Sequence, residues 1–160
     1  MIESILAKAE DVAARLRARH ETVAVVESST GGLIAAALLS VPGASDYFVA
    51  GGVIYTGAVR RALLQIDDAA MVGMRAASAP YALLCAHTVR ARCATVWGIG
   101  ESGAAGPTGN RYGDAAGHSA IAVAGPVERS LTLETNSTDR RANMVRFADA
   151  ALDLLIECLA

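Results

Sequence analysis

The chain has 160 residues, 53% of them apolar and only 4% aromatic, with a formal net charge of −2. That length fits one domain with a sizeable core, which the low aromatic content makes aliphatic. The charge balance forms no basic stripe and so gives no argument for nucleic acid as a partner. The longest apolar run, Leu33 to Leu39, is too short to cross a bilayer.

Ile2 to Arg19 reads as an amphipathic helix, with Ile5, Val12 and Leu16 on one side and Lys8, Glu10, Arg15 and Arg19 on the other. Because it alternates charge with Ala and Leu, it is not expected to be a signal peptide. Thr22 to Val26 is a buried strand, and the run Glu27-Ser28-Ser29-Thr30-Gly31-Gly32 turns it into a helix that extends to Ser40. Thr30 or Ser29 is expected to cap that helix. Gly31 and Gly32 keep side chains away from its free N–H groups, so the helix N-terminus is expected to hold an anion.

Pro42-Gly43 stops the helix, and Phe48 to Tyr55 follows as a second strand. Gly51-Gly52 within it marks a bulge or a close backbone contact. Ala58 to Leu64 is a short helix carrying Arg60 and Arg61, and 67–76 is a connector with a helical turn. Ser78 as cap and Pro80 in the first turn start a helix that runs to about Arg92. Cys93 to Ile99 is the third strand, and Gly100 to Gly117 is a second Gly-rich loop. Ser119–Ala124 and Arg129–Glu134 pair as a hairpin around Gly125-Pro126. Asp139 opens the last helix, 140–159, with Val145, Leu152, Leu155 and Leu159 inward.

Strands separated by helices run parallel, and the terminal hairpin makes one strand antiparallel. The fold class is therefore α/β: a three-layer α/β/α sandwich around a mixed, mostly parallel five-stranded sheet. If the first and third strands are neighbours, the Glu27–Gly32 turn and the Gly100–Gly117 loop leave the same sheet edge, where ligands bind in such folds. The many small residues of the second loop let backbone N–H groups approach a phosphate or oxyanion. Neither loop is a P-loop or a dinucleotide fingerprint.

For chemistry, Ser28, Ser29, Thr30 and Ser102 are candidate nucleophiles, and Glu27 and Glu101 are candidate acids or bases. N–H groups at Gly31 and Gly32 are expected to form an oxyanion hole. No Asp-His pair is readable as the base, and arginine stays protonated. Lys8 is the only lysine. Cys85, Cys93 and Cys158 have no metal-site spacing and fit reduced thiols in a cytosol, and His20, His87 and His118 are scattered. No metal and no cofactor is expected, and the location is expected to be cytoplasmic.

These motifs resemble, in order and spacing, the CinA C-terminal domain family, whose enzymes are nicotinamide-mononucleotide deamidases. The family turn Glu-Ser-Cys-Thr-Gly-Gly is matched by Glu27 to Gly32, with Ser29 for Cys. Val41-Pro42-Gly43-Ala44-Ser45, Phe48 and Gly52 also match. The family loop Ser-Gly-Ile-Ala-Gly-Pro-x-Gly-Gly corresponds to Ser102-Gly103-Ala104-Ala105-Gly106-Pro107-Thr108-Gly109-Asn110. Gly117 and the pair Asp139-Arg140 have counterparts too.

The resemblance implies a stand-alone homo-oligomeric domain that binds a small nucleotide or phosphate ligand. It implies Ser28, Tyr55 and Arg60 as catalytic positions. Glu27, Ser29, Thr30, Gly31, Gly32, Ser102, Gly103, Ala105, Gly106, Pro107 and Gly109 would contact the substrate. Three departures stand out: Thr56-Gly57 replaces Ser-Asn after Tyr55, Ala79 and Leu84 replace family glutamates in the helix after Ser78, and Arg60 stands at the family lysine. An arginine there preserves phosphate binding but removes a base, so a nucleotide-binding module without turnover is the alternative reading.

Overall fold

A computed structural model describes residues 2–160. Among the described residues, five α-helices and five strands follow in chain order: α1 (Ile2–Arg19), β1 (Val23–Glu27), α2 (Leu33–Ser40), β2 (Phe48–Val53), α3 (Gly57–Val59), α4 (Ala79–Cys93), β3 (Trp97–Ala104), β4 (His118–Ala124), β5 (Arg129–Glu134) and α5 (Arg140–Cys158). The strand order is β2-β1-β3-β4-β5. β2, β1 and β3 are parallel, and β4 runs antiparallel to both of its neighbours. No described helix is long and apolar enough to cross a membrane.

Side-chain alternation along the strands divides the core into two unlike halves. Val23 and Val25 of β1, Trp97 and Ile99 of β3, and Ile121 and Val123 of β4 pack against α1, α2 and α5 through Val12, Leu16, Ile34, Leu38, Leu152 and Leu155. The opposite face presents Ala24, Gly98, Gly100, Ala120, Ala122 and Ala124 to α4, whose own contact residues include Ala82 and Ala86. With so little side chain between them, helix and sheet nearly touch. A Cβ on Gly100 would lie 2.0 Å from the Ala82 carbonyl oxygen, and one on Gly98 would lie 2.1 Å from that of Ala86. The aliphatic core thus takes its shape from small residues as much as from large ones.

This close approach corrects the third strand. Its expected bounds, 93–99, become Trp97–Ala104. Helix α4 instead continues to Cys93 and ends at Ala94 in a left-handed conformation. Gly100 to Ala104 pair with Ala122 to His118 along β4, so Glu101, Ser102 and Gly103 are strand residues and the second loop is 105–117. Glycine lowers intrinsic strand propensity, but here only glycine fits beneath α4.

Other differences are local. β2 ends at Val53 rather than Tyr55. Its register shift lies opposite Val23 and Ala24, whereas Gly51 makes the close contact, a Cβ there falling 2.8 Å from that of Ala35. The expected helix at 58–64 is three α-helical residues followed by a π-helical turn, Arg60–Leu64. Val145 is half-buried, whereas Leu152, Leu155 and Leu159 are buried. Ser78 and Asp139 cap α4 and α5 by accepting from the Tyr81 and Ala142 N–H groups.

Candidate active site

β1 and β3 are adjacent and parallel, so the turn after β1 and the loop after β3 share one sheet edge. Two buried carboxylates join them. Glu27, fully buried at the end of β1, accepts N–H bonds from Gly32 at 2.8 Å, Ile34 at 3.2 Å and Ala35 at 2.9 Å. The Thr30 hydroxyl donates to the same group at 2.6 Å. Glu27 therefore caps α2, with Gly32 as a left-handed N-cap residue and no side-chain cap from Ser29 or Thr30. A carboxylate answers several donors at once and suits the positive end of a helix. Burial nonetheless dominates and pushes the Glu27 carboxyl above its ordinary range, against the lowering by Thr30 and the α2 N–H groups.

This arrangement overturns the anion site expected at α2. The Gly32 N–H belongs to Glu27 and the Gly31 N–H to the Ser28 carbonyl, so neither is left for an oxyanion or a phosphate. Glu101, 1% exposed on β3, accepts from the Ser28 and Thr30 N–H groups, each at 3.0 Å. It also accepts from the hydroxyls of Ser29 and of Ser119, the latter at 2.9 Å. Both glutamates are internal fasteners of the turn, and neither lines the two cavities at this sheet edge.

What remains open is Ser28. Its N–H is held by Glu101, and its Oγ makes no hydrogen bond among the described residues. The residue lines a cavity of about 480 Å³ with Tyr55, Arg60, Arg61, Ser102, Arg111 and Tyr112, a size suited to a small molecule. Ser29 and Thr30, by contrast, are buried and committed to the glutamates. Ser102 Oγ accepts the Ala77 N–H at 3.2 Å, which leaves its own proton to donate into the cavity. Arg60 is 11% exposed; it donates to the Ile66 carbonyl at 3.1 Å and to Asp68 at 2.5 Å.

A second cavity of about 230 Å³ adjoins the first and shares Tyr55 as a wall. Ser29, Gly103, Ala105, Gly106 and Gly109 line it, together with Arg140 at the start of α5. Arg140 donates to the Gly106 carbonyl at 2.6 Å and to the Tyr55 hydroxyl at 3.4 Å. Asn143 holds the Ala105 carbonyl at 2.8 Å. Gly31 and Pro107 are exposed and belong to neither wall.

The far side of the loop is anchored by His118 on β4. Its Nδ1 meets Glu134 at 2.5 Å, its Nε2 meets the Ala77 carbonyl at 2.7 Å, and Asp114 lies 3.6 Å from Nε2. Burial lowers the His118 pKa, but the Ala77 carbonyl, Glu134 and Asp114 together outweigh it and raise the net value. No described group of three or more His, Cys, Asp or Glu residues is placed to hold a metal ion.

A sequence model of the CinA C-terminal domain matches residues 6–159. The chain belongs to the CinA C-terminal domain family. It is 37% identical over 138 residues to a CinA-like protein of Salinibacter ruber, covering 86% of this chain and 34% of that one. It is likewise 37% identical over 155 residues to a CinA-like protein of Gloeobacter violaceus, covering 96% and 36%. The chain thus spans about a third of the length of these relatives. Among solved structures, it is similar to the competence/damage inducible protein CihA of Agrobacterium tumefaciens, with a TM-score of 0.87 and 26% identity over 96% of this chain and 94% of that one. A CinA superfamily protein of Escherichia coli shares the fold, with a TM-score of 0.90 at 22% identity over 96% and 90% of the two chains.

Against this CinA frame, sequence reasoning left Arg61, Tyr81, Arg111 and Tyr112 out of the candidate site, and all four line the Ser28 cavity. The signal for the last two was present: they are the two largest side chains between Gly100 and Gly117. Arg140 was visible only as part of a motif match.

Proposed function

We propose that this CinA-family domain is a serine-dependent amidohydrolase that converts the carboxamide of a nicotinamide nucleotide to a carboxylate and releases ammonia. The observation that carries the reading is the sorting of hydroxyls in the first turn. Ser29 and Thr30 are tied to buried carboxylates, while Ser28 Oγ stands unbonded on the wall of an arginine-lined cavity. Serine attack on an amide carbon is the chemistry the motif resemblance implies.

In that reaction Ser28 Oγ adds to the carboxamide carbon and its proton passes to the departing ammonia. Water then releases the acid from the acyl-serine. Ser102, whose hydroxyl proton is free toward the cavity, supplies a donor for the developing oxyanion. Tyr55 carries an exchangeable proton on the same wall, whereas Arg60 holds charge and cannot accept one. No step requires a metal or a cofactor.

The test is ammonia release from nicotinamide mononucleotide by the native chain and by Ser28→Ala. The native chain is expected to turn over at about 1 per second or faster, and the variant to fall by a factor of about 1,000 or more. Equal release from both ends the Ser28 assignment. The arginine at position 60 favours one second reading, a nucleotide-binding domain without turnover. It predicts a higher melting temperature with nicotinamide mononucleotide and no ammonia from either protein.

A further inference from the structure

Three arginines stand on the wall of the Ser28 cavity, and their charges are answered differently. Arg60 and Arg61 share one carboxylate, Asp68, at 2.5 and 3.1 Å. Arg111 has no ion-pair partner among the described residues. Its guanidinium lies 5.3 Å from the centroid of the Tyr112 ring and donates one bond, at 3.2 Å, to the Tyr112 hydroxyl. A guanidinium stacked on a ring keeps most of its N–H edge available. The cavity therefore carries three guanidinium groups against one carboxylate, a balance that suits a dianion.

The loop bearing Arg111 is built rather than loose. Asn110 Oδ1 accepts from the N–H groups of Tyr112 at 3.0 Å and Asp114 at 3.1 Å. Asn110 Nδ2 donates to Asp114 Oδ2 at 2.8 Å. Arg75 grips the same carboxylate with two bonds, at 2.5 and 2.9 Å. Arg75 precedes Ala76, itself part of the cavity wall, so the grip fixes the loop to the site it faces. Ordering of this kind is completed on folding, and a ligand need not supply it.

We infer that Arg111 reads the phosphate monoester of the substrate and is the residue that separates a nucleotide from its nucleoside. Its planar fork matches two phosphate oxygens, and the Tyr112 ring and hydroxyl hold it at the cavity wall. The inference names the substrate class at the site proposed above and rests on that reading for its kinetic test.

That test measures kcat/KM for nicotinamide mononucleotide and for nicotinamide riboside in the native chain, Arg111→Gln and Arg111→Lys. The native chain prefers the nucleotide. In Arg111→Gln the preference falls about 10- to 100-fold, the usual worth of hydrogen bonds to a charged group, with Arg111→Lys between. An unchanged preference overturns the inference, whatever happens to the absolute rates. A second measurement needs no turnover: ribose 5-phosphate raises the melting temperature of the native chain more than ribose does, and Arg111→Gln abolishes the difference. If the native chain releases no ammonia from either substrate, the amidohydrolase reading fails by itself. The melting comparison then decides Arg111, and an equal shift in Arg111→Gln refutes its role.

Discussion

Glu101 offers the most direct test of how the Glu27–Gly32 turn is held. It is a buried carboxylate whose donors are all neutral: two backbone N–H groups, from Ser28 and Thr30, and the hydroxyls of Ser29 and Ser119. The Thr30 hydroxyl also approaches at 3.0 Å, but its single proton points to the nearer Glu27 at 2.6 Å. In Glu101→Gln the amide oxygen keeps both backbone bonds, while the amide nitrogen faces two hydroxyls that rotate to accept. All four bonds lose their charge assistance, roughly 1 kcal/mol each, and relief of the buried charge's desolvation offsets part of that loss. Glu101→Ala instead orphans two buried N–H groups at about 1–3 kcal/mol each, roughly 2–6 kcal/mol before any cavity is counted.

A domain of this size has roughly 8–24 kcal/mol to lose, so both variants should fold well enough to measure. Urea denaturation followed by circular dichroism should rank the native chain above Glu101→Gln and that above Glu101→Ala, with m unchanged. A Glu101→Ala variant within about 1 kcal/mol of native refutes the reasoning. So does a Glu101→Gln variant more stable than native, because desolvation of the charge would then exceed what its bonds return.

Gly100→Ala places a Cβ 2.0 Å from the Ala82 carbonyl oxygen. It should lower stability by about 1–3 kcal/mol or more, whereas Gly113→Ala, where a Cβ meets nothing within 4 Å, pays only for its left-handed backbone. Thermal melts compare the two, and a larger loss at Gly113 contradicts the packing argument. The pH dependence follows from the anchor of the second loop. The raised pKa of His118 means that its contribution is complete below about 6.5 and is lost as pH rises through the higher folded value. In His118→Gln the stability difference between pH 6 and pH 9 should shrink; an unchanged difference removes the anchor.

Much of the fold was legible because its signals are local. Ser78 and Pro80 start α4, Asp139 starts α5, and Gly125-Pro126 turns β4 into β5, each through contacts within a few residues. The strand–helix alternation implied parallel neighbours, and the pairing of β1 with β3 brought the two small-residue loops to one edge. Ser28, Tyr55 and Arg60 were singled out by motif, and the chain brings all three to one cavity wall.

What only the tertiary structure decided depends on groups far apart in sequence. Gly100 to Ala104 looks like a loop by composition and is a strand because it pairs with Ala122 to His118 of β4, with Gly100 where α4 leaves no room for a side chain. The cap of α2 is not the nearby hydroxyl but Glu27, reaching forward to donors up to eight residues on, while Glu101 from β3 captures the N–H groups of the turn. Local sequence sets which backbone shapes are affordable. Which acceptor wins a buried N–H, and which hydroxyl is left facing a ligand, is settled only when distant strands meet, because a buried carboxylate outcompetes any neutral neighbour within reach.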